Sequence, residues 1–187
     1  TGDAVGSAVA TTRAELNALA REFRESTTGL LSGAEVLTAR GLEPDAVRRW
    51  TRTIAEMRSA SGAAEADLAQ LAIGIDRIAR ITDEAGQRQA MAIAFRAGQL
   101  GGVELRDMAV RLPGVLAQMG GLELRGERAV TNAAAMMQVV RDGFGTTEEA
   151  AAGLQALLGQ MLGENTVKAA RELGVDLGKT FGHFTDA

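Results

Sequence analysis

The chain has no cysteine and few aromatic residues, and both shortages limit what it can be. Without cysteine, disulfide bonds and thiolate chemistry are excluded, and the redox compartment is left open. Tyrosine is absent, and one tryptophan and five phenylalanines make up 3% of the 187 residues. The core is therefore built from Ala, Leu, Val, Ile and seven Met, which favours closely packed helices over sheets.

Charge of one sign and long apolar runs are also missing. The net charge is −4, with acidic and basic residues mixed along the chain, so no broad basic surface for a nucleic-acid backbone is expected. No apolar run approaches the roughly 18 residues that cross a bilayer, and no secretion signal opens the chain. We therefore predict no specific nucleic-acid binding and no membrane-spanning segment. Because the chain starts with Thr1 rather than Met, it is either a processed product or a piece of a longer protein, and we favour the second interpretation.

Apolar residues recur at helical spacing in almost every segment, and no long stretch alternates with a period of two. This pattern predicts an all-α fold, a compact bundle of about eight or nine short-to-medium helices with Gly-rich turns. The segment Gln87–Leu100 is apolar on more than one face, which predicts a helix buried in the middle of the bundle. Pro113 is expected to kink or break its helix. Helix starts are predicted at the capping-box spacings Thr12–Glu15, Ser32–Glu35 and Thr146–Glu149, at Pro44, and at Asn165 or Thr166.

Most of the 23 glycines fall between the apolar stripes, where they predict helix ends or turns. These glycines are Gly41, Gly62, Gly86, Gly101, Gly102, Gly120, Gly121, Gly143, Gly145, Gly163 and Gly174. A few glycines lie inside the stripes, where they are expected to let neighbouring helices approach closely. They are Gly74, Gly98, Gly153 and Gly159.

Two segments of the chain are similar to each other. "GLEPDAVRRWTRTIAEM" begins at Gly41 and "GVELRDMAVRLPGVLAQM" begins at Gly102, and both read Gly, apolar, Glu and then a helix ending in Met. Two related helix-turn units and a chance similarity between Ala-rich helices both explain this pattern.

The stretch Gly174–Thr180 has the outline of a phosphate-binding loop. It has three residues between Gly174 and Gly178-Lys179, where such a loop needs four, and it follows a helical segment instead of a strand. We interpret Gly174 as a helix end. His183, the only histidine, cannot form a His-based metal cage, and the sequence identifies no nucleophile or carboxylate beside it for general-base chemistry. We predict an exposed residue of the tail.

The acidic pairs Asp83–Glu84 and Glu148–Glu149 lie at predicted helix starts, where they complement the helix dipole. We interpret them as helix caps and not as catalytic carboxylates. The arginine groups have acidic neighbours and no interleaved aromatic residues, so they are read as a solvated helix face instead of a nucleic-acid surface. These arginines are Arg21, Arg24, Arg48, Arg49 and Arg52.

Trp50 lies on an apolar stripe and is predicted to pack in the core instead of forming a ligand platform. The methionines follow the same stripes and are interpreted as fillers of an aromatic-poor core. We predict no catalytic, cofactor-binding or metal-binding residue, and no cofactor.

Residues from about 30 to 180 resemble the core region of phage tail tape measure proteins. The resemblance rests on "VLTARGLEPDAVRRWTRTIAEM", "GGVELRDMAVRLPGVLAQMGG", "AVTNAAAMMQVVRDGFGTTEEAAAGLQALLGQML" and the closing "TVKAARELGV". One departure is that Glu149-Ala150 stands where the family usually has Ala-Gly, and Ala152-Gly153 matches only with a small insertion. The resemblance implies an N-terminal helix at 1–29, a tape-measure-like core at 30–180 and a tail at 181–187.

The resemblance also implies a structural and non-enzymatic function in tail assembly, tail-length determination and genome ejection. The implied partners are other copies of the chain, tail tube proteins, baseplate or hub proteins, and tail assembly chaperones. The implied locations are the lumen of the virion tail and, during assembly, the cytoplasm of the bacterial host. An alternative from another class is a free-standing helical interaction module, an adaptor or regulator that binds partner helices in a groove.

Overall fold

A computed structural model of the chain describes residues 2–120, 124–161 and 163–176, with side-chain surroundings from Arg13 onward. In these residues the regular secondary structure is helix only, which confirms the all-α class. The described helices are α1 (Gly2–Phe23), α2 (Thr27–Ala39), α3 (Pro44–Ser61), α4 (Glu65–Arg77), α5 (Glu84–Leu100), α6 (Leu105–Met119), α7 (Gly126–Arg141), α8 (Thr147–Met161) and α9 (Glu164–Glu172).

The helices from α1 to α8 pack in two rows. Each of them contacts its neighbour in the chain and also the next helix but one. One row therefore contains α2, α4, α6 and α8, and the other contains α1, α3, α5 and α7. The final helix, α9, contacts α8 and has no buried residue.

The helix that lies deepest is α4, not α5. Most of the α4 surface is buried, because α2 and α6 pack against it in its own row and α3 and α5 pack from the other row. The prediction of a buried central helix at Gln87–Leu100 is wrong, since α5 has an exposed face that includes Arg88 and Gln89. The alanines made this helix look apolar on all sides, but alanine is equally compatible with a partly exposed helix surface.

Apolar side chains form one large core and one small separate cluster. The large core joins residues from α2 to α8, and Trp50, Leu71, Met108 and Leu112 are among its fully buried members. The small cluster lies between α1, α2 and α3. It consists of Leu16, Ala20, Leu30 and Ala55, with Leu19 and Phe23 packed at its edge.

Three predicted helix starts are wrong. Thr12 lies inside α1, because the alanine-rich residues before it continue the helix back to Gly2. Ser32 lies inside α2, which begins at Thr27 because the hydroxyl of Ser26 already accepts a hydrogen bond from the Gly29 N–H. The last helix begins at Glu164, just before the predicted Asn165 or Thr166.

Two other starts are confirmed. Pro44 occupies the first turn of α3, where its missing N–H has no cost. Thr146 and Glu149 form a reciprocal capping box at α8: the Thr146 N–H donates to Glu149 Oε2 at 3.1 Å, and the Glu149 N–H donates to Thr146 Oγ1 at 3.2 Å.

Most of the described glycines act as predicted, whereas Gly86 and Pro113 do not. Gly41, Gly62 and Gly174 follow helix ends in the left-handed conformation. Gly86, in contrast, lies in the first turn of α5, where its N–H donates to the capping carboxylate of Asp83. Pro113 does not break α6, since the packing of α4 and α8 on either side outweighs the lost backbone hydrogen bond.

The two similar segments share a local turn but not a place in the fold. Glu43 and Glu104 both precede a helix in extended conformation, and the apolar residue before each of them is buried. The helices that follow are α3 and α6, which belong to different rows.

Candidate functional surface

Gly174 forms a helix end and not the start of a phosphate loop. After α9, the Val175 N–H donates to the Ala170 carbonyl at 2.8 Å and the Gly174 N–H donates to the Arg171 carbonyl at 2.9 Å. With Gly174 at φ +79°, this is the Schellman pattern that closes helices. The rest of the suspected loop, from Leu177 to Thr180, and His183 lie outside the described residues.

The acidic pairs cap helices, as predicted. Asp83 caps α5 through the Gly86 N–H, and Glu84 forms an ion pair with Arg88 at 2.6 Å in the next turn. In the α8 pair, Glu149 belongs to the capping box and Glu148 forms an ion pair with Arg111 at 3.2 Å. Each of these carboxylates thus has a structural contact.

The arginines of α3 form ion pairs or hydrogen bonds with neighbouring groups. Arg48 pairs with Asp45, Arg52 pairs with Glu22 at 2.5 Å, and Arg49 donates to the Thr82 carbonyl at 3.2 Å. The arrangement matches the predicted solvated helix face.

Trp50 is fully buried in the large core, which confirms its predicted role in packing. Its indole N–H donates to Asp76 Oδ1 at 3.1 Å, so α3 and α4 are joined by a polar contact as well as by apolar packing.

Neither a metal cluster nor a membrane helix is found in the part of the chain that the structure describes. Within residues 2–120, 124–161 and 163–176, no three His, Cys, Asp or Glu side chains come together as a metal site would require. In the same residues, no helix is both long and apolar enough to cross a bilayer.

The interior glycines differ in how closely they approach a neighbouring element. A Cβ atom on Gly98 of α5 would lie 2.7 Å from the Leu105 nitrogen at the start of α6, which is too close for a real side chain. A Cβ atom on Gly74 of α4 would lie 3.6 Å from the Pro113 Cα of α6, and one on Gly159 of α8 would lie 3.7 Å from Gln118 Oε1, both ordinary contact distances. The expectation that interior glycines allow close approach is therefore confirmed at Gly98 and not at Gly74 or Gly159.

Gln138 is a structural residue that the sequence did not reveal. From α7, its side-chain amide donates to the carbonyls of Ala97 at 2.8 Å and Val103 at 3.0 Å, and its Oε1 accepts from the Val103 N–H at 3.0 Å. Gly101 leaves the space for this amide, because a Cβ there would overlap it. One glutamine therefore fixes the turn between α5 and α6. A glutamine within a helix carries no pattern that predicts such a contact.

A groove lies beside α1, where the small cluster meets α2 and α3. Its volume is about 290 Å³, and its surface is largely apolar with charged side chains at the rim. The lining includes Leu16, Leu19, Ala34 and Val47, and the rim includes Glu22 and Arg52.

The family is decided by comparison with known proteins. The family model for the phage-related minor tail protein matches residues 13–187, which include the second half of α1 and all of the helices from α2 to α9. The chain belongs to this family. A phage minor tail protein is thus built here from two rows of short helices that share one large apolar core.

The minor tail protein also resembles a named relative, which confirms the predicted resemblance to tape measure proteins. A probable tape measure protein of Burkholderia phage BcepMu is 29% identical to it over 154 residues. This alignment covers 82% of the chain but only 18% of the relative, so the chain spans about a fifth of that protein's length. No solved structure matches the chain.

Proposed function

We propose that this chain is a structural, non-enzymatic domain of a tail tape measure protein. The observation that carries the proposal is the family match over residues 13–187, joined by the similarity to a probable tape measure protein over most of the chain. The domain acts in tail assembly, in setting the length of the tail and in genome ejection.

The helix packing supports a chain that adopts different arrangements during these steps. An extended helix advances about 1.5 Å per residue, so the length of a chain laid along a tube can be read out as tube length. The first helix, α1, depends on the small separate cluster, and α9 buries no residue. These two helices can leave the fold without opening the large core, which suits a chain that folds before assembly and extends in a tube.

The proposed partners are other copies of the chain, tail tube proteins, baseplate or hub proteins, and tail assembly chaperones. The proposed locations are the lumen of the virion tail and the host cytoplasm during assembly. We also propose the division into an N-terminal helix at 1–29, a core at 30–180 and a tail at 181–187. The separate small cluster around Leu16 and Ala20 supports treating the first helix by itself.

Mass spectrometry of purified particles tests this function. Intact tails, treated with protease and then washed, should retain peptides from this domain, because the tube wall shields its lumen. After ejection is triggered, the same peptides should be lost from the particle. A surface protein of the same tail is the control, since protease should remove it before ejection.

Two results would contradict the proposal. Loss of the domain's peptides from intact tails under protease would place it outside the tube. Absence of the parent protein from purified particles, with the protein present in the infected cell, would favour the free-standing interaction module.

A further inference from the structure

Two of the joints between described helices contain neither glycine nor proline. They are residues 24–26, between α1 and α2, and residues 78–83, between α4 and α5. At each of them an arginine adopts the left-handed conformation that glycine usually provides: Arg24 at φ +56° and Arg80 at φ +57°. A side chain in this conformation is strained relative to the same residue in a right-handed helix.

The α1–α2 joint is a helix end made by Arg24. The Glu25 N–H donates to the Ala20 carbonyl at 2.8 Å, which is the long hydrogen bond of a Schellman ending. The sequence Arg24-Glu25-Ser26 contains no residue that forbids a helix. If Arg24 and the extended Ser26 (ψ 127°) both moved to the right-handed helical conformation, α1 and α2 would become one continuous helix from Gly2 to Ala39. This change would release two contacts from α3 to the joint, the hydrogen bond from the Ser59 hydroxyl to the Phe23 carbonyl at 3.4 Å and the Arg58–Glu25 ion pair at 3.7 Å.

The α4–α5 joint is held by contacts from elsewhere in the fold. The Gly126 N–H donates to the Ala79 carbonyl at 2.7 Å, and the Thr82 carbonyl accepts from both Arg49 and Gln87. Ile81 is buried in the large core. Straightening this joint would disrupt the main core, so Arg80 serves as a matched comparison for Arg24.

The contacts that hold α1 are few and are separate from the large core. Leu16 and Ala20 pack on Leu30 and Ala55 in the small cluster, beside the groove described above. Polar contacts add the Glu22–Arg52 ion pair, the Arg52 guanidinium over the Phe23 ring at 5.7 Å, and a hydrogen bond from Thr27 to Asn17 at 3.0 Å. The same contacts are available to α1 of another copy of the chain.

We propose that two copies of this chain exchange α1 when the Arg24 joint straightens. The surface of α2 and α3 that α1 covers in one chain then takes α1 of the second copy, and the Glu22–Arg52 pair forms between chains. The occupant follows from complementarity, because the apolar side chains and the charge on this surface already match α1 in one chain. Exchange of an identical element is a low-cost route to a dimer. It also relieves the strained arginine twice, once in each copy.

Crosslinking between chains tests the exchange, and the absence of native cysteine makes the labelling clean. The 187-residue chain with Glu22→Cys is co-refolded with a size-tagged chain carrying Arg52→Cys, and a short bismaleimide is added. The proposal predicts a covalent heterodimer. The control pair is Arg111→Cys with Glu148→Cys, an ion pair between α6 and α8 that should remain within one chain. Equal heterodimer yields from the two pairs would overturn the proposal.

Substitutions at the joint test the mechanism through the dimer fraction, measured by size-exclusion chromatography with light scattering. Arg24→Gly should lower the association constant of the dimer at least about tenfold. Glycine accepts the left-handed conformation of the bent joint and disfavours the continuous helix of the exchanged dimer. Arg24→Ile should raise it, since a β-branched residue is poorly accommodated at positive φ. Arg80→Gly should leave it unchanged. A dimer fraction that is the same in both Arg24 variants would contradict the proposal.

The exchange rests on the self-association proposed above, but not on a role in tails. The assay reads chain exchange in solution, whereas the particle experiment reads location and ejection. A result that contradicts the exchange therefore does not contradict the proposed function in tails, and the reverse also holds.

Discussion

At the scale of single residues, Gln138 shows how much of this fold depends on one polar side chain. It joins the end of α5, the turn that follows and the middle of α7 through three hydrogen bonds. The Val103 residue that it holds is completely buried. Without the glutamine, the Val103 N–H would have to remain buried and unpaired, which is costly.

Replacing Gln138 by leucine should destabilise the protein strongly. The expected loss in the free energy of unfolding is about 3 kcal/mol, because buried backbone groups lose their hydrogen bonds. Urea denaturation followed by circular dichroism measures it. The control is Gln89→Leu on the exposed face of α5, which should change stability by no more than about 0.5 kcal/mol. Equal effects of the two substitutions would show that the Gln138 contacts contribute little.

At this scale the sequence allowed some predictions and not others. Trp50 and the Thr146–Glu149 box were predictable, because a spaced apolar stripe and a capping pattern are local signals. Gln138 and the left-handed Arg24 were not. Their roles depend on groups that are distant in the chain or on a backbone conformation that arginine rarely adopts.

At the scale of the helices, interior glycines have two different structural roles. Gly74 faces the side of α6, where a Cβ atom would meet Leu116 Cδ1 at 3.4 Å, an ordinary contact distance. Gly98 faces the backbone of the α5–α6 turn, where a Cβ atom would lie 2.7 Å from the Leu105 nitrogen. The first site has room for a methyl group, and the second does not.

The same substitution should therefore have opposite effects at these two glycines. Gly74→Ala should be neutral or stabilising by up to about 1 kcal/mol, because alanine favours the helix. Gly98→Ala should destabilise by about 2 kcal/mol, because a fixed backbone turn cannot move aside. Thermal unfolding of both variants checks this. A loss of stability in Gly74→Ala would mean that α4 and α6 require glycine for their approach.

Helix ends were easier to predict than helix starts. Glycine marks an end through a backbone conformation that few other residues adopt, so Gly41, Gly62 and Gly174 were reliable. Serine and threonine also occur inside helices, and Thr12 and Ser32 therefore gave false starts. The exposed face of α5 was missed for a related reason, since alanine does not distinguish buried from exposed helix surfaces.

At the scale of the whole molecule, the described helices differ in how many residues they bury. The middle helices share one large core, α1 depends on a small separate cluster, and α9 buries no residue. Elements with few buried contacts open at the lowest free energy. We therefore expect α1 and α9 to open at a lower free energy than the helices of the large core. Such an order suits the proposed function, in which the domain is folded before assembly and drawn out within a tail tube.

Tail length, measured by electron microscopy, tests the central claim most directly. Deletion of residues 102–163 from the parent gene should shorten tails by ~90 Å if this region lies along the tube as helix, and a tandem duplication should lengthen them equally. The full-length Gln138→Leu variant is the control, because it weakens the fold without changing chain length. Lengths that follow the number of residues and ignore Gln138→Leu are predicted. Intact tails of unchanged length in both the deletion and the duplication would contradict a role as a ruler.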